Sequence, residues 1–365
     1  MRRRAKAKKR RAQRKLEKAG VLSKILAQNA AIYRSQGFNP PSDVSRKPIF
    51  LPHELSFWNN YEATVRTLSD IKETAFVENR PMVVHFEKVE KIDPSAALVL
   101  VSEIYRCKHL RASRQGEIIQ GTYPTNETVH RLLSEMGFFT LLELQDAIEP
   151  IDPADRDLNE PLYWKFESAK NVDTQFIDWF VSLVEKYVIP MNEIARRRLI
   201  AAMVEAMQNT LDHAYREPTR YQSMNDRWFL SMSLSPNNHE VRILLYDQGV
   251  GIPQTMNRDT FEIITSAVKD FFVPRGFRAS DGEMIKIATH MFRTRTGQSG
   301  RGRGFGNMKD FVDKSSDGEL RILSNRGRYT YINGIEEYGD ESMSAGGTVI
   351  EFRFRSEEAV HMEDD

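Results

Sequence analysis

The sequence predicts an α+β protein built as two folded units behind a basic arm. Three observations carry that expectation. The chain has 365 residues, more than a single hydrophobic core usually serves. Strand-like and helix-like stretches alternate through its first half. The second half places two amphipathic helices ahead of five strands joined largely by short turns, an order that favours antiparallel pairing with helices against one face of a sheet.

Residues 1–40 form the arm. MRRRAKAKKRRAQRKLEKAG holds eleven Lys or Arg and one Glu, a net +10, so the remainder carries −9 against a total of +1. Such a segment is helical or disordered, and the breaker NPPSD ends it. Residues 45–148 come next. PMVVHFEKV reads as a strand, IDPSAALVLVSEIYRCKHLRA as a turn feeding a helix, GEIIQGT as a strand and NETVHRLLSEMGF as a helix, giving a small α/β domain with a mixed sheet. Residues 149–162, rich in Pro and Asp, read as a linker. The second unit spans 163–356. NVDTQFIDWFVSLVEKYVIP is an amphipathic helix stopped by Pro190. Asn192 then reads as an N-cap, and Val204, Met207, Leu211 and Ala214 make one apolar stripe running to about Tyr215. RWFLSMSLS, EVRILLYD, GELRILSN, RYTYING and GTVIEFRF are the strands, and 357–365 is an acidic tail.

Composition narrows the functional classes. One cysteine, Cys107, leaves no disulfide framework and fits a reducing cytoplasm. The basic start lacks the apolar core of a signal peptide, and no run of about 18 apolar residues offers a membrane span. The eight histidines are scattered without zinc-site spacing.

VEAMQNTLDHAY, residues 204–215, closes the second helix with an unusual polar set. Glu205 and Asn209 stand one turn apart, Asp212 continues their face and His213 borders it. Taken alone, a hydrated helix face is the better account. An amide oxygen nevertheless suits Mg²⁺, and a carboxylate one turn away can orient a nucleophile. EVRILLYD then runs into DQGVGIP. Asp247, ahead of Gly249 and Gly251, places a carboxylate acceptor at a sharp turn, where it can take a hydrogen bond from adenine's amine; a plain β-turn fits equally. TGQSGRGRGFGNMKDFVD alternates Gly300, Gly302, Gly304 and Gly306 before a helix expected near Asn307, a pattern that lets backbone N–H groups approach phosphate. Arg301 and Arg303 add charge, and the apolar residues Phe305, Met308 and Phe311 argue against a flexible linker. The Walker pattern is absent.

ExxxN, DxGxGIP, GxGxG and a final GGT, in this order across residues 205–348, resemble the Bergerat-fold (GHKL) ATPases. That family includes gyrase, histidine kinases, mismatch-repair ATPases, heat-shock chaperones and anti-sigma-factor serine kinases. The resemblance implies ATP bound between helices and sheet, with Asn209 on Mg²⁺, Glu205 as catalytic base and Asp247 as adenine anchor. Gly302, Gly304 and Gly306 would line the phosphates, Thr348 would join Asp247, and residues 254–301 would form a lid. EAMQNTLDHAY is similar to the EAxxNxxxHxY of the anti-sigma kinases, while Asp212 is also what gyrase-like hydrolases carry.

VVHFEKVEKIDPSAALVLVSEIYR and GTYPTNETVHRLLSEMGFFTLLEL resemble the sulfate-transporter and anti-sigma-antagonist (STAS) domain. Asp93-Pro94-Ser95 makes Ser95 a candidate phosphorylation site, although the family's glycine is here Ala96 and its first serine Pro94. The expectation is a cytoplasmic Mg²⁺-dependent ATP-binding regulator, an ATPase or serine/threonine kinase in signal transduction, whose STAS-like half docks a protein partner or receives phosphate. The alternative is an ATP-gated clamp on nucleic acid or protein. It would dimerise on nucleotide and contact DNA or RNA through residues 1–20.

Overall fold

The computed structural model describes residues 2–111, 118–141, 160–256, 279–294, 304–315 and 317–355. Residues 149–159 of the expected linker and the acidic tail lie outside them, and Leu162, at the linker's expected end, already belongs to a strand. The arm is helical: α1 spans Arg2–Ser35. Its C-terminal turns dock on the unit that follows. Asn29 is buried and its Nδ2 donates to the carbonyls of Val44 at 2.7 Å and Arg46 at 3.0 Å. The Tyr33 hydroxyl meets His85 Nε2 at 3.1 Å.

The first unit contains β1 (Lys47–Phe50), β2 (Glu54–Leu55), α2 (Tyr61–Phe76), β3 (Met82–His85), β4 (Lys91–Ile92), α3 (Pro94–Leu110), β5 (Ile119–Gly121), α4 (Glu127–Glu135) and α5 (Phe138–Leu141). The expected mixed sheet is corrected: β1-β3-β5 pair in parallel, and so does the small β2-β4 sheet. Helices supply the crossovers, α2 between β1 and β3 and α3 between β3 and β5, which returns each strand in the same direction. Helix α3 starts on a clear signal. Asp93 caps it, accepting from Ser95 N at 3.0 Å, and Pro94 occupies the first turn. Every residue from Ser95 to Ile104 is buried. A helix buried on all sides must be covered on all sides. The parallel sheet covers one side of α3, and the second unit covers the other.

That second unit contains β6 (Leu162–Tyr163), β7 (Glu167–Ala169), α6 (Thr174–Tyr187), α7 (Glu193–Asn209), β8 (Trp228–Ser235), β9 (Glu240–Asp247), α8 (Ile252–Thr255), α9 (Asp281–Thr294), α10 (Gly304–Asp313), β10 (Glu319–Ser324), β11 (Gly327–Ile332), β12 (Ile335–Asp340) and β13 (Thr348–Arg355). Its sheet runs β12-β11-β10-β13-β9-β8-β6, with β7 also on β8. Every pairing is antiparallel, as the short turns between successive strands led one to expect. Strand β12 was not foreseen because IEEYGD carries no apolar alternation. The sequence cues that did hold are local: Asp173 and Asn192 cap α6 and α7 through their side chains.

Side chains alternate across the sheet with period two. On β9, Val241, Ile243 and Leu245 join the core built by α6, α7 and α10, whereas Leu244 and Tyr246 join the core of the first unit. Four layers result: the parallel sheet, then α2 and α3, then the antiparallel sheet, then α6, α7, α9 and α10. No helix among the described residues is long and apolar enough to cross a membrane.

Candidate functional site

Strand β9 ends at Asp247, and alternation aims this residue at the helical side of the sheet. Asp247 lies between Trp228 of β8 and Thr348 of β13 in register. It is 4% exposed. Burial raises its carboxyl to about 7, opposed by hydrogen bonds from Gly249 N, at 2.9 Å, and from Thr348. A buried acceptor whose neighbours are neutral donors is costly to ionise, and that cost falls when a ligand supplies another donor.

The backbone beyond Asp247 is held by close approaches. A Cβ on Gly249 would meet Ala214 O at 2.2 Å, and one on Gly347 would meet Asp247 O at 2.0 Å. Gly251 has φ +83°, and a Cβ there would meet Asn325 Nδ2 at 2.7 Å. Val250 N donates to Ala214 O at 2.8 Å, and Gln248 N donates to the Tyr215 hydroxyl at 3.0 Å. The loop after β9 is thereby stitched to the end of the α7 segment. Asp247, Gly249, Gly251 and Thr348 come together as expected, and residues 209–215 lie against them.

The end of that helix differs from the expectation. Helix α7 stops at Asn209, and Thr210–Ala214 form a π-helical turn. Such turns are rare and concentrate at functional sites. Glu205 and Asn209 keep the i, i+4 relation and are both half-buried. Asp212 does not continue their face, because the wider turn changes the angle per residue. It is exposed, and its carbonyl accepts from Arg216 Nε at 2.5 Å. His213 is half-buried. Burial first, and the Arg216 charge second, lower its pKa, so the imidazole is neutral at pH 7.

Asn209 Nδ2 is buried and has no hydrogen-bond partner among the described residues. A buried amide left this way costs about 1–3 kcal/mol, and a ligand reaching the amide would remove that cost. This orphaned donor and the Asp247 carboxylate acceptor together fit a polar ligand that carries both an acceptor and a donor.

Helix α10 begins at Gly304, three residues before the expected start, so Gly304, Phe305 and Gly306 form its first turn. Phe305, Met308, Phe311 and Val312 are buried in the core shared with α7, and the first N–H groups of the helix have no intrahelical acceptor. Arg301, Gly302 and Arg303 lie outside the described residues, as does most of the expected lid. The described part, α9, is a packed helix. Ile285 and Ala288 are buried, and Asp340 accepts from Gly282 N at 2.8 Å.

Sequence reasoning missed two residues of this site, Ser324 and Asn325, and gave no role to a third, Tyr215, which its motif contained. Ser324 Oγ donates to Gly347 O at 3.1 Å, lies 3.1 Å from Thr348 Oγ1 and accepts from Ile252 N at 2.8 Å. Asn325, in the left-handed region at φ 53°, donates through Nδ2 to Val250 O at 2.8 Å. Tyr215 also donates to Arg227 O at 2.5 Å. Only the Ser-Asn pair ending a strand carried a turn signal. Ser95 is fully buried, and its Oγ donates to Asp93 Oδ1 at 2.5 Å.

Residues 195–358 match the family model of the histidine kinase-, DNA gyrase B- and HSP90-like ATPases. The match begins in the first turn of α7, takes in Glu205, Asn209, Asp247 and Thr348, and ends just past β13. A search of curated proteins gave no match.

Proposed function

We propose that this ATPase-family module binds ATP with Mg²⁺ and serves a regulatory protein, as an ATPase or serine/threonine kinase whose first unit is STAS-like. The buried Asp247 carboxylate carries the reading. It sits at a strand end with Thr348 beside it and the stitched glycine loop beneath it, and it can accept the exocyclic amine of adenine but not the carbonyl of guanine. Asn209 would hold the cation through its amide oxygen. Mg²⁺, when bound, neutralises phosphate charge. Glu205, one turn before Asn209, would accept the proton of an attacking hydroxyl or water. The first turn of α10, with Gly304 and Gly306, offers N–H groups to phosphate oxygens, and Arg301, Gly302 and Arg303 precede it in the chain.

The first unit serves as a docking and sensing element in this reading. Ser95 would have to leave a fully buried position before it could accept phosphate, so in the closed protein its hydroxyl serves to hold the capping Asp93 carboxylate. The clamp alternative rests on the basic α1 and on Asp212.

Calorimetry with a non-hydrolysable ATP analogue and Mg²⁺ tests the reading. The wild type should bind saturably. Asp247→Asn should weaken binding about 100-fold, as expected when a buried acceptor is turned into a donor facing a donor. Asn209→Ala should remove most of the Mg²⁺ dependence, and Glu205→Gln should bind but not turn over. Unchanged affinity in both Asp247→Asn and Asn209→Ala would refute the site.

A further inference from the structure

Beneath the nucleotide-side strand ends, on the opposite face of the sheet, lies a second cavity of about 240 Å³. Helices α2 and α3 of the first unit wall one side. The other side is formed by residues 218–221, Gln248–Gly249 and Gly346–Gly347. Three cations reach it, Lys72, Arg106 and Arg220, against one carboxylate, Glu103. Glu103 is already committed, paired with the Arg106 guanidinium and accepting from the Tyr246 hydroxyl at 2.6 Å.

The cations are less well served. Arg106 is 3% exposed, and its Nε is buried with no hydrogen-bond partner among the described residues. Lys72 is 5% exposed; its Nζ has three N–H bonds and donates to Ala345 O at 3.2 Å. A Cβ on Gly346 would stand 3.7 Å from that Nζ, so this glycine borders the ammonium. Burial lowers the Lys72 pKa, with Glu103 opposing the shift. Buried charged donors of this kind are costly unless an anion meets them. Glu73, the nearest further carboxylate, accepts from the Tyr221 hydroxyl at 2.9 Å and lies 3.7 Å from Arg220 at the rim, outside the cavity lining.

We propose that this cavity is a binding site for a compact oxyanion of the phosphate or sulfate type, held by Lys72 Nζ and the free Nε edge of Arg106, with Arg220 at the mouth. At roughly 30 Å³ per water, the space takes one tetrahedral anion and a few waters. Arginine and lysine together suit it, one offering directed N–H bonds and the other a compact charge. Because Lys72 and Arg106 belong to the first unit and Gly346 and Gly347 to the second, the bound anion ties the two units together behind Asp247. The site stands independently of the nucleotide reading.

Titration of the full chain with sodium phosphate and, separately, sodium sulfate in a chloride buffer, followed by calorimetry and by melting temperature, tests it. The wild type should bind one anion saturably and melt higher with it. Lys72→Gln should weaken binding at least 10-fold. Arg220→Gln, at a side chain 79% exposed and therefore harmless to folding, should weaken it about 3-fold. Asn209→Ala should bind phosphate as the wild type does. No saturable binding, or binding indifferent to both Lys72→Gln and Arg220→Gln, overturns the proposal. Binding lost in Asn209→Ala also overturns it, since the anion would then be occupying the nucleotide side.

Discussion

The two faces of the eight-stranded sheet are closed in different ways. The upper face is apolar along its strands, with Ile243 and Leu245 of β9, Leu320 and Ile322 of β10, and Ile350 and Phe352 of β13 packed under α6, α7 and α10. It turns polar only at the strand ends, where Ser324, Thr348 and Asp247 continue the same alternation. The lower face mixes an apolar patch, including Phe229, Tyr246 and Leu323, with ionic groups. Arg242 lies 3.8 Å from both Asp93 and Glu351, Trp58 Nε1 donates to Glu351 at 3.2 Å, and Arg353 pairs with Glu319 at 2.9 Å. Burial, and then the Asp93 charge, raise the Glu351 pKa. An apolar face needs only complementary volume. Buried charge instead requires particular partners and is weak evidence for stability. The upper face therefore holds the fold and concentrates its polarity in one ligand site, while the lower face selects one docked arrangement of the first unit.

The loop after β9 belongs to both faces, so the largest expected effect comes from disturbing it. Gly249→Ala puts a methyl 2.2 Å from Ala214 O. The backbone must move, at a cost of about 2–4 kcal/mol. Thermal melting should show the loss, and ATP binding should fail with it, because the same shift displaces Asp247.

A smaller effect separates binding from stability on the upper face. The folded pKa of Asp247, about 7, lies above its ordinary value of 3.8. The folded state thus holds this proton between roughly pH 4 and 7 where the unfolded state has released it. Stability from this group is present below pH 4 and declines as pH rises towards 7. Asp247→Asn removes that decline. The variant without nucleotide should be about 1–3 kcal/mol more stable than wild type at pH 7.5 and nearly equal to it at pH 4.5, measured by denaturant unfolding. Its affinity for ATP should nevertheless fall. Wild-type affinity should rise with pH through 7, as the acceptor ionises. An Asp247→Asn protein no more stable than wild type at pH 7.5 would show that the carboxylate is not strained by burial.

The sequence-based expectations succeeded where residue type answers a local demand. Asn192 and Asp173 cap their helices, EVRILLYD is β9 to the residue, and Gly249, Gly251 and Gly347 stand where a side chain would collide. They failed where distant segments decide. Strand direction in the first unit's sheet depends on its helical crossovers, and β12 is a strand because β11 offers it an edge. The π turn after Asn209 took Asp212 off the face that a 3.6-residue period assigned to it, and nothing in TLDHA announces that change. Ser324 and Asn325 became site residues only because β10 pairs with β13 beside Asp247. The burial of Ser95 depends on α3 being covered from both sides, and the second cover lies more than a hundred residues further along the chain.

The smallest effect gives the sharpest test of the division between the faces. Tyr246 and Asp247 are adjacent, yet their side chains leave β9 on opposite sides, one towards Glu103 and the other towards the candidate ligand site. Tyr246→Phe deletes one donor to Glu103, which keeps its pairing with Arg106, so the loss should be about 1–2 kcal/mol in unfolding. Ring packing is preserved and the strand is not displaced. ATP affinity should then change less than 2-fold. A 10-fold drop would mean that the hydroxyl acts through the backbone on its neighbour, and that docking of the first unit and nucleotide binding are one coupled equilibrium.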